Sequence, residues 1–230
     1  MYVVIAGAGI VGGELTRRLL ENRHDVVVID QDKESCDKLY AGTGAVVING
    51  SAARIEILRE AGIDKADVLV AATATDADNL VCALLGRSLG VPRIIARMRD
   101  TAYEKAFQLA GVESLVRVTD LMVNHMVMDV EQPELRSVTA IGGGRADIFS
   151  VKIPPGAGVA GKSVRDLTAS PDFPAECVFV AVYNAAKGEF SIPRGNQVIS
   201  EGDEIFVIAS AEDVKRAADF LSRRSAAPRS

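Results

Sequence analysis

The chain has 230 residues, 48% of them apolar and 25% charged, with a net charge of −5. That is room for one large or two modest globular domains of ordinary composition. No basic tail or stripe appears, which argues against a nucleic-acid partner, and no apolar run reaches the length of a membrane helix. The apolar start lacks a basic n-region and reads as a strand, not as a signal peptide; Met1 directly ahead of it reads as a natural start. Cys36, Cys82 and Cys177 are scattered, without a C-x-x-C. They predict reduced thiols in a cytosolic protein, with no disulfide framework and no zinc ligand cluster.

The pattern predicts a strand over Tyr2–Ala6, then the turn Gly7-Ala8-Gly9-Ile10-Val11-Gly12, an amphipathic helix over Ile10–Asn22, and a strand over Asp25–Asp30. A G-x-G-x-x-G directly after a strand, with an acid closing the next strand, is the dinucleotide-binding fingerprint in its required context. Gly7 permits the tight turn, Gly9 lets the backbone approach a pyrophosphate, and Gly12 lets the helix pack closely. The helix points its free N–H groups and positive dipole end at the phosphates. Asp30 would accept hydrogen bonds from a ribose hydroxyl and repel a 2′-phosphate. The fingerprint therefore favours NAD or an adenine nucleotide over NADP.

Strand and helix continue to alternate: helix Asp32–Ala41, strand Ala45–Ile48, helix Arg54–Ala61, strand Asp67–Ala72, helix Asp76–Leu89, strand Arg93–Arg97, helix Ala102–Ala110 and strand Ser114–Val118. The strands are continuous apolar runs, as in a parallel sheet covered on both faces. Strict alternation implies right-handed crossovers in a Rossmann-like, doubly wound α/β fold. A helix over Asp120–Val130 is apolar around much of its surface and reads either as a seventh helix of the same domain or as a crossover helix to a second subunit. After Gln132-Pro133 the style changes. Short β-type runs (Ile148–Ile153, Val178–Tyr183, Glu204–Ile208) alternate with turns at Pro154–Gly156, Asn184–Gly188 and Glu201–Asp203, and a helix over Ala211–Leu221 follows. This predicts a second, smaller α+β domain and a frayed tail. The expected division is 1–118, a crossover helix and linker over 119–134, a second domain over 135–222, and a tail over 223–230.

In such a sheet a ligand sits beyond the carboxyl ends of the strands, where the strand order reverses between the first and fourth. Those ends carry Gly7–Gly12, Asp30 and Gln31, Asn49-Gly50-Ser51, Thr73 and Ala74, and Arg97. Asn49 and Ser51 would offer hydrogen bonds near an adenine or its ribose, and Thr73 would reach a phosphate or the second ribose. Asp76 and Asn79 open the next helix; Asp76 is placed either to cap it or to touch ligand. Arg97 is the cation suited to pair with a phosphate or to form a structural salt bridge. No residue is assigned a catalytic role and no metal site is expected. An NAD-dependent oxidoreductase is the alternative, but the second domain has no His to serve as acid or base.

Residues 49–100, NGSAARIEILREAGIDKADVLVAATATDADNLVCALLGRSLGVPRIIARMRD, closely resemble the RCK, or TrkA-N, domain family. Leu58–Ile63, Ala66-Asp67, Thr73, Asp76, Asn79 and Ala96-Arg97 are in register with its pattern. GVAGKSVRDL at 158–167, the turn at Pro193 and Gly195, and EGDEIFVIAS at 201–210 resemble the matching TrkA-C domain. The resemblance implies a regulatory protein and no enzyme: a cytosolic subunit at the inner face of the membrane that binds NAD/NADH or ATP/ADP. It further implies a homodimer through the crossover helix, assembled into an octameric ring or tetramer. That assembly would gate a TrkH- or KtrB-like potassium transporter or a potassium channel. The loops Gly158–Leu167 and Gly195–Asp203 would bind a small effector, serve as an interface, or be plain structural turns.

Overall fold

A computed structural model describes residues 1–131, 135–141, 146–210 and 212–224. The chain divides into two units, Met1–Met122 and Val123–Ser230. The first is built on six strands: β1 (Tyr2–Ala6), β2 (Asp25–Asp30), β3 (Val46–Asn49), β4 (Val68–Ala71), β5 (Arg93–Met98) and β6 (Ser114–Arg117). All pair in parallel in the order β3-β2-β1-β4-β5-β6. This is the doubly wound order, with the reversal between β1 and β4. Between the strands lie α1 (Ile10–Glu21), α2 (Lys33–Thr43), α3 (Ile55–Glu60), α4 (Asp76–Ser88) and α5 (Glu104–Leu109).

Alternation along the strands divides the core in two. On one face Val4, Ala6, Val27, Ile29, Leu69 and Ile94 pack with Leu58, Cys82, Ala83 and Phe107 from α3, α4 and α5. On the other, Val3, Ile5, Val26, Val28, Val68 and Val70 meet Leu15 and Leu19 of α1 and Leu39 of α2. Among the described residues of this unit, α1 and α2 pack on that face, and a groove of about 360 Å³ remains over the β1, β4, β5 and β6 side of the sheet. It is lined by Val11, Leu15, Val70, Ile95, Val116 and Arg97, among others.

Strand β6 ends at Arg117 and helix α6 (Val118–Glu131) begins at the next residue. The sequence places Val118 in the strand, because a β-branched apolar residue at the end of an apolar run reads that way. Thr119 Oγ1 donates to the Arg99 carbonyl at 3.0 Å and fixes the helix's first turn. Leu121, Met122, Val123, Met126, Val127 and Val130 are exposed on α6, the last by 82%. The expected domain change at Gln132-Pro133 lies outside the described residues.

The second unit holds β7 (Leu135–Ile141), β8 (Ala146–Lys152), β9 (Val178–Asn184), β10 (Glu189–Ser191) and β11 (Glu204–Ser210) in an antiparallel sheet of order β10-β9-β11-β8-β7. Its inner face (Phe149, Val151, Phe179, Val182, Ile205, Val207) packs on α7 (Val164–Thr168) and α8 (Val214–Ser222). Phe173 stacks on Phe179 with ring centroids 5.2 Å apart. Helix α7 corrects the reading of Gly158–Leu167 as a loop. Its signal is the reciprocal cap in which Ser163 and Asp166 bond each other's backbone. The Ser163 hydroxyl and backbone bonds also hold the Asp166 carboxyl below the usual range. Of the predicted terminal helix, Ala211 lies outside the described residues, as does the tail from 225 onward.

Candidate nucleotide site

The glycine turn is shaped by what surrounds it. Gly7 has φ of +114°, and a Cβ there would lie 2.6 Å from the Ala72 carbonyl oxygen. A Cβ on Gly12 would lie 1.8 Å from the Gly7 carbonyl oxygen, so α1 can start here only on a residue without one. Around Gly9, by contrast, a Cβ meets no described atom within 4 Å. Gly9 is the N-cap of α1 and offers no side-chain cap, and no acid stands in the first turn. The amides at the start of α1 are therefore left for an external acceptor, and Ile10 beside them is 94% exposed.

Asp30 closes β2 beside this turn. One carboxylate oxygen accepts the Ala8 amide at 2.6 Å and the other accepts the Asp32 amide at 2.8 Å. The acid thus braces the glycine turn itself and keeps further lone-pair capacity on each oxygen. Asp32 caps α2 through the Ser35 amide at 3.0 Å; the Ser35 hydroxyl and amide hold its carboxyl below the usual range. Gln31 is exposed. Asn49 donates through Nδ2 to the Asp30 carbonyl at 3.0 Å and the Gln31 carbonyl at 2.9 Å. Its amide nitrogen ties the ends of β2 and β3 together. Gly50 donates to the Asp30 carbonyl at 2.8 Å, and Ser51 Oγ accepts from the Ala53 amide at 3.3 Å.

Across the sheet reversal, β4 and β5 are joined by two buried polar side chains. Asn79 is 1% exposed. Its Oδ1 accepts from the Thr73 amide at 2.8 Å and Thr73 Oγ1 at 2.7 Å, and its Nδ2 donates to the Arg97 carbonyl at 3.1 Å. Asp76 is 8% exposed and accepts from the amides of Arg99 at 2.9 Å and Asp100 at 2.8 Å. The cap of α4 is Thr75, whose Oγ1 accepts from the Asp78 amide at 3.2 Å. Asp76 is therefore not the cap the sequence suggests. It turns inward because the chain leaving β5 presents two amides that lack partners on the sheet.

Arg97 Nη1 donates to the Thr73 carbonyl at 3.5 Å, and its buried Nε has no hydrogen-bond partner among the described residues. A buried, unpaired guanidinium nitrogen invites an acceptor from outside the chain. Arg99, two residues on, donates through Nη1 to the Ala74 carbonyl at 3.2 Å. Sequence reasoning passed over it, although the alternation in Ala96-Arg97-Met98-Arg99 places both arginines on one side of the strand path. The strand ends thus bring together Gly7–Gly12, Asp30, Asn49–Ser51, Thr73, Ala74 and Arg97, while Asp76 and Asn79 hold the frame from inside.

His24 lies past the far end of α1, against the Met1 amino group at 3.4 Å. Burial pushes the Cys82 thiol up to about 12 and the Cys177 thiol to about 11; Cys36 is raised as well, chiefly by burial. All three thiols stay protonated near neutrality and are poor nucleophiles. Alkylation of the native protein with iodoacetamide at pH 7.5 is expected to modify none of them within the time that denatured protein is fully labelled. Rapid native labelling, read by intact mass, would contradict this burial.

The TrkA-N domain family matches residues 3–118 and the TrkA-C domain family residues 148–222. The Trk system potassium uptake protein TrkA homolog of Methanothermobacter thermautotrophicus is 32% identical over 217 residues, 94% of this chain and 97% of that protein. The homolog from Archaeoglobus fulgidus is 30% identical over 94% of this chain, which spans only 48% of that protein. Among solved structures, the GsuK channel superposes with a TM-score of 0.66 at 18% identity, over 97% of this chain and 40% of that one. The GsuK channel bound to NAD superposes with a TM-score of 0.63, also at 18% identity, over 98% of this chain and 40% of that one. These structures share the fold. With both domain families matched in order and a relative aligned along nearly its full length, the chain belongs to the TrkA family of potassium uptake proteins.

Proposed function

We propose that this chain is a nucleotide-sensing regulatory subunit that gates a membrane potassium transporter or channel. The observation that carries the reading is the uncapped start of α1 at a glycine turn braced by Asp30, with the unpaired Nε of Arg97 across the sheet reversal. That arrangement suits a diphosphate between two riboses. The names of the relatives support a role in potassium uptake, and the GsuK channel, which shares the fold, has been solved with NAD bound. An oxidoreductase would need an acid or base beside the nicotinamide; His24 lies past the far end of α1, and His125 lies on α6 against Asp129.

The subunit works as a dimer or larger ring at the cytoplasmic face of its membrane partner. No helix among the described residues is long and apolar enough to cross a membrane itself. The uncovered apolar groove on the sheet and the apolar surface of α6 are suited to each other, so that helix α6 of a second copy would fill the groove. A nucleotide shifts such an assembly only by its differential affinity for two states. The test is calorimetric titration of nucleotide-stripped protein with NADH, NAD, ATP and ADP, with light scattering before and after each. Unequal affinities in a dimer or ring are expected. No binding, or equal affinity for every nucleotide, would remove the basis for switching. In the same titration NADPH is expected to bind at least about tenfold more weakly than NADH, since its 2′-phosphate would face the Asp30 carboxylate.

A further inference from the structure

The outer face of the second unit's sheet carries a cavity of about 150 Å³ that includes Arg136, Ser150, Lys152, Tyr183, Gly202 and Glu204 in its lining. Strand register explains why these meet. Lys152 of β8 faces Glu204 of β11, Glu204 faces Tyr183 of β9, and Arg136 of β7 faces Ser150 of β8. Alternation then puts all five side chains on one face, away from the core.

The charges in this cluster do not pair as their positions suggest. An acid and a base directly opposite on adjacent antiparallel strands usually close into an ion pair. Here the Glu204 carboxylate instead accepts the Ser150 hydroxyl at 2.6 Å, and Ser150 is only 2% exposed, so that bond is held in place. Lys152 and Arg136 take part in none of the ion pairs or side-chain hydrogen bonds found among the described residues. Two cations and a phenol therefore line one concavity, with the single acid turned toward a serine. The lining is net positive, and its donors outnumber its acceptors.

We infer that this cavity is a second ligand site, separate from the glycine turn, that takes the phosphate or carboxylate group of a small anionic metabolite. Arg136 and Lys152 hold the oxyanion through charge-assisted bonds and Tyr183 adds a neutral donor. A cavity of this size is enough to seat one phosphate or carboxylate group.

The test is a titration of the full chain at constant ionic strength with inorganic phosphate and, separately, with succinate, read at the backbone amides of Tyr183 and Gly202 by NMR. Reading at the cavity makes the result independent of whether the first unit binds a nucleotide. Saturable shifts with a dissociation constant of about 10 mM or tighter are expected for at least one probe, and the probe that saturates tells phosphate from carboxylate. The double variant Arg136→Gln with Lys152→Gln should weaken that binding at least tenfold while leaving melting temperature and NADH affinity unchanged. The inference fails if neither probe saturates. It fails equally if the double variant binds as well as the parent.

Discussion

Substituting Gly12→Ala is expected to destabilise the first unit by about 3 kcal/mol or more, whereas Gly9→Ala leaves its stability nearly unchanged and weakens nucleotide binding. The two glycines belong to the same fingerprint but meet different surroundings. At Gly12 the new methyl would stand 1.8 Å from the Gly7 carbonyl oxygen and 2.9 Å from its carbon, both backbone atoms. Relief requires the turn or the whole of α1 to move, which exceeds the usual 1–3 kcal/mol of an overpacked side chain. At Gly9 the methyl meets no described atom within 4 Å, and φ of −64° suits alanine. Its cost is the poorer N-cap, about 0.5 kcal/mol, or roughly 1–2 °C in melting temperature. The same methyl would stand in the path of a pyrophosphate approaching the α1 amides, and NADH affinity should fall at least tenfold. Thermal melts and calorimetry on both variants check the contrast. Unchanged NADH affinity in Gly9→Ala would show that the phosphates do not approach this turn.

Asn79→Ala is expected to cost about 2–4 kcal/mol and to weaken nucleotide binding without removing any group that touches the ligand. The side chain satisfies the Thr73 amide, the Thr73 hydroxyl and the Arg97 carbonyl from a position that is 1% exposed. Removing it leaves buried donors and an acceptor unpaired, at about 1–3 kcal/mol for each group that water cannot reach. At about 2–4 °C per kcal/mol for a chain of this size, the melting temperature should drop by about 5–15 °C. Asn79→Asp keeps Oδ1 as an acceptor for Thr73 but loses the Nδ2 donations to the Arg97 and Thr73 carbonyls and sets a buried carboxylate against both oxygens, so it should not recover the loss. If Asn79→Ala melts with the parent, the bridge between β4 and β5 is not what holds the site's frame.

Much of the first unit was legible in the sequence because its signals are strong and mutually consistent. Continuous Val/Ile runs, a glycine turn and an acid at the next strand's end leave few folds open. The second unit was harder to read. Helix α7 is only five residues long, too short for a periodic apolar face, and its one signal is the Ser163 and Asp166 cap. Strand β10 has three residues and is held mainly by its hairpin with β9. At the site, the sequence could nominate Asp76 and Asn79 but could not say which way they face. That depends on partners 18 to 24 residues away, Arg97, Arg99 and Asp100, which only the β4–β5 pairing brings into reach. The register of β8 against β11, which sets the Lys152, Glu204 and Ser150 cluster, is likewise a tertiary fact.

The junction between β6 and α6 has a mechanical consequence. A loop between a strand and a helix acts as a compliant joint and absorbs small displacements. Here Arg117 ends the strand, Val118 starts the helix, and Thr119 is pinned to the carbonyl of Arg99, next to the amide that Asp76 holds. The stem of α6 is thus clamped to the same strand ends that carry Thr73 and Arg97. A shift of those ends by a fraction of an ångström therefore has no slack to disappear into before it reaches the first turn of α6.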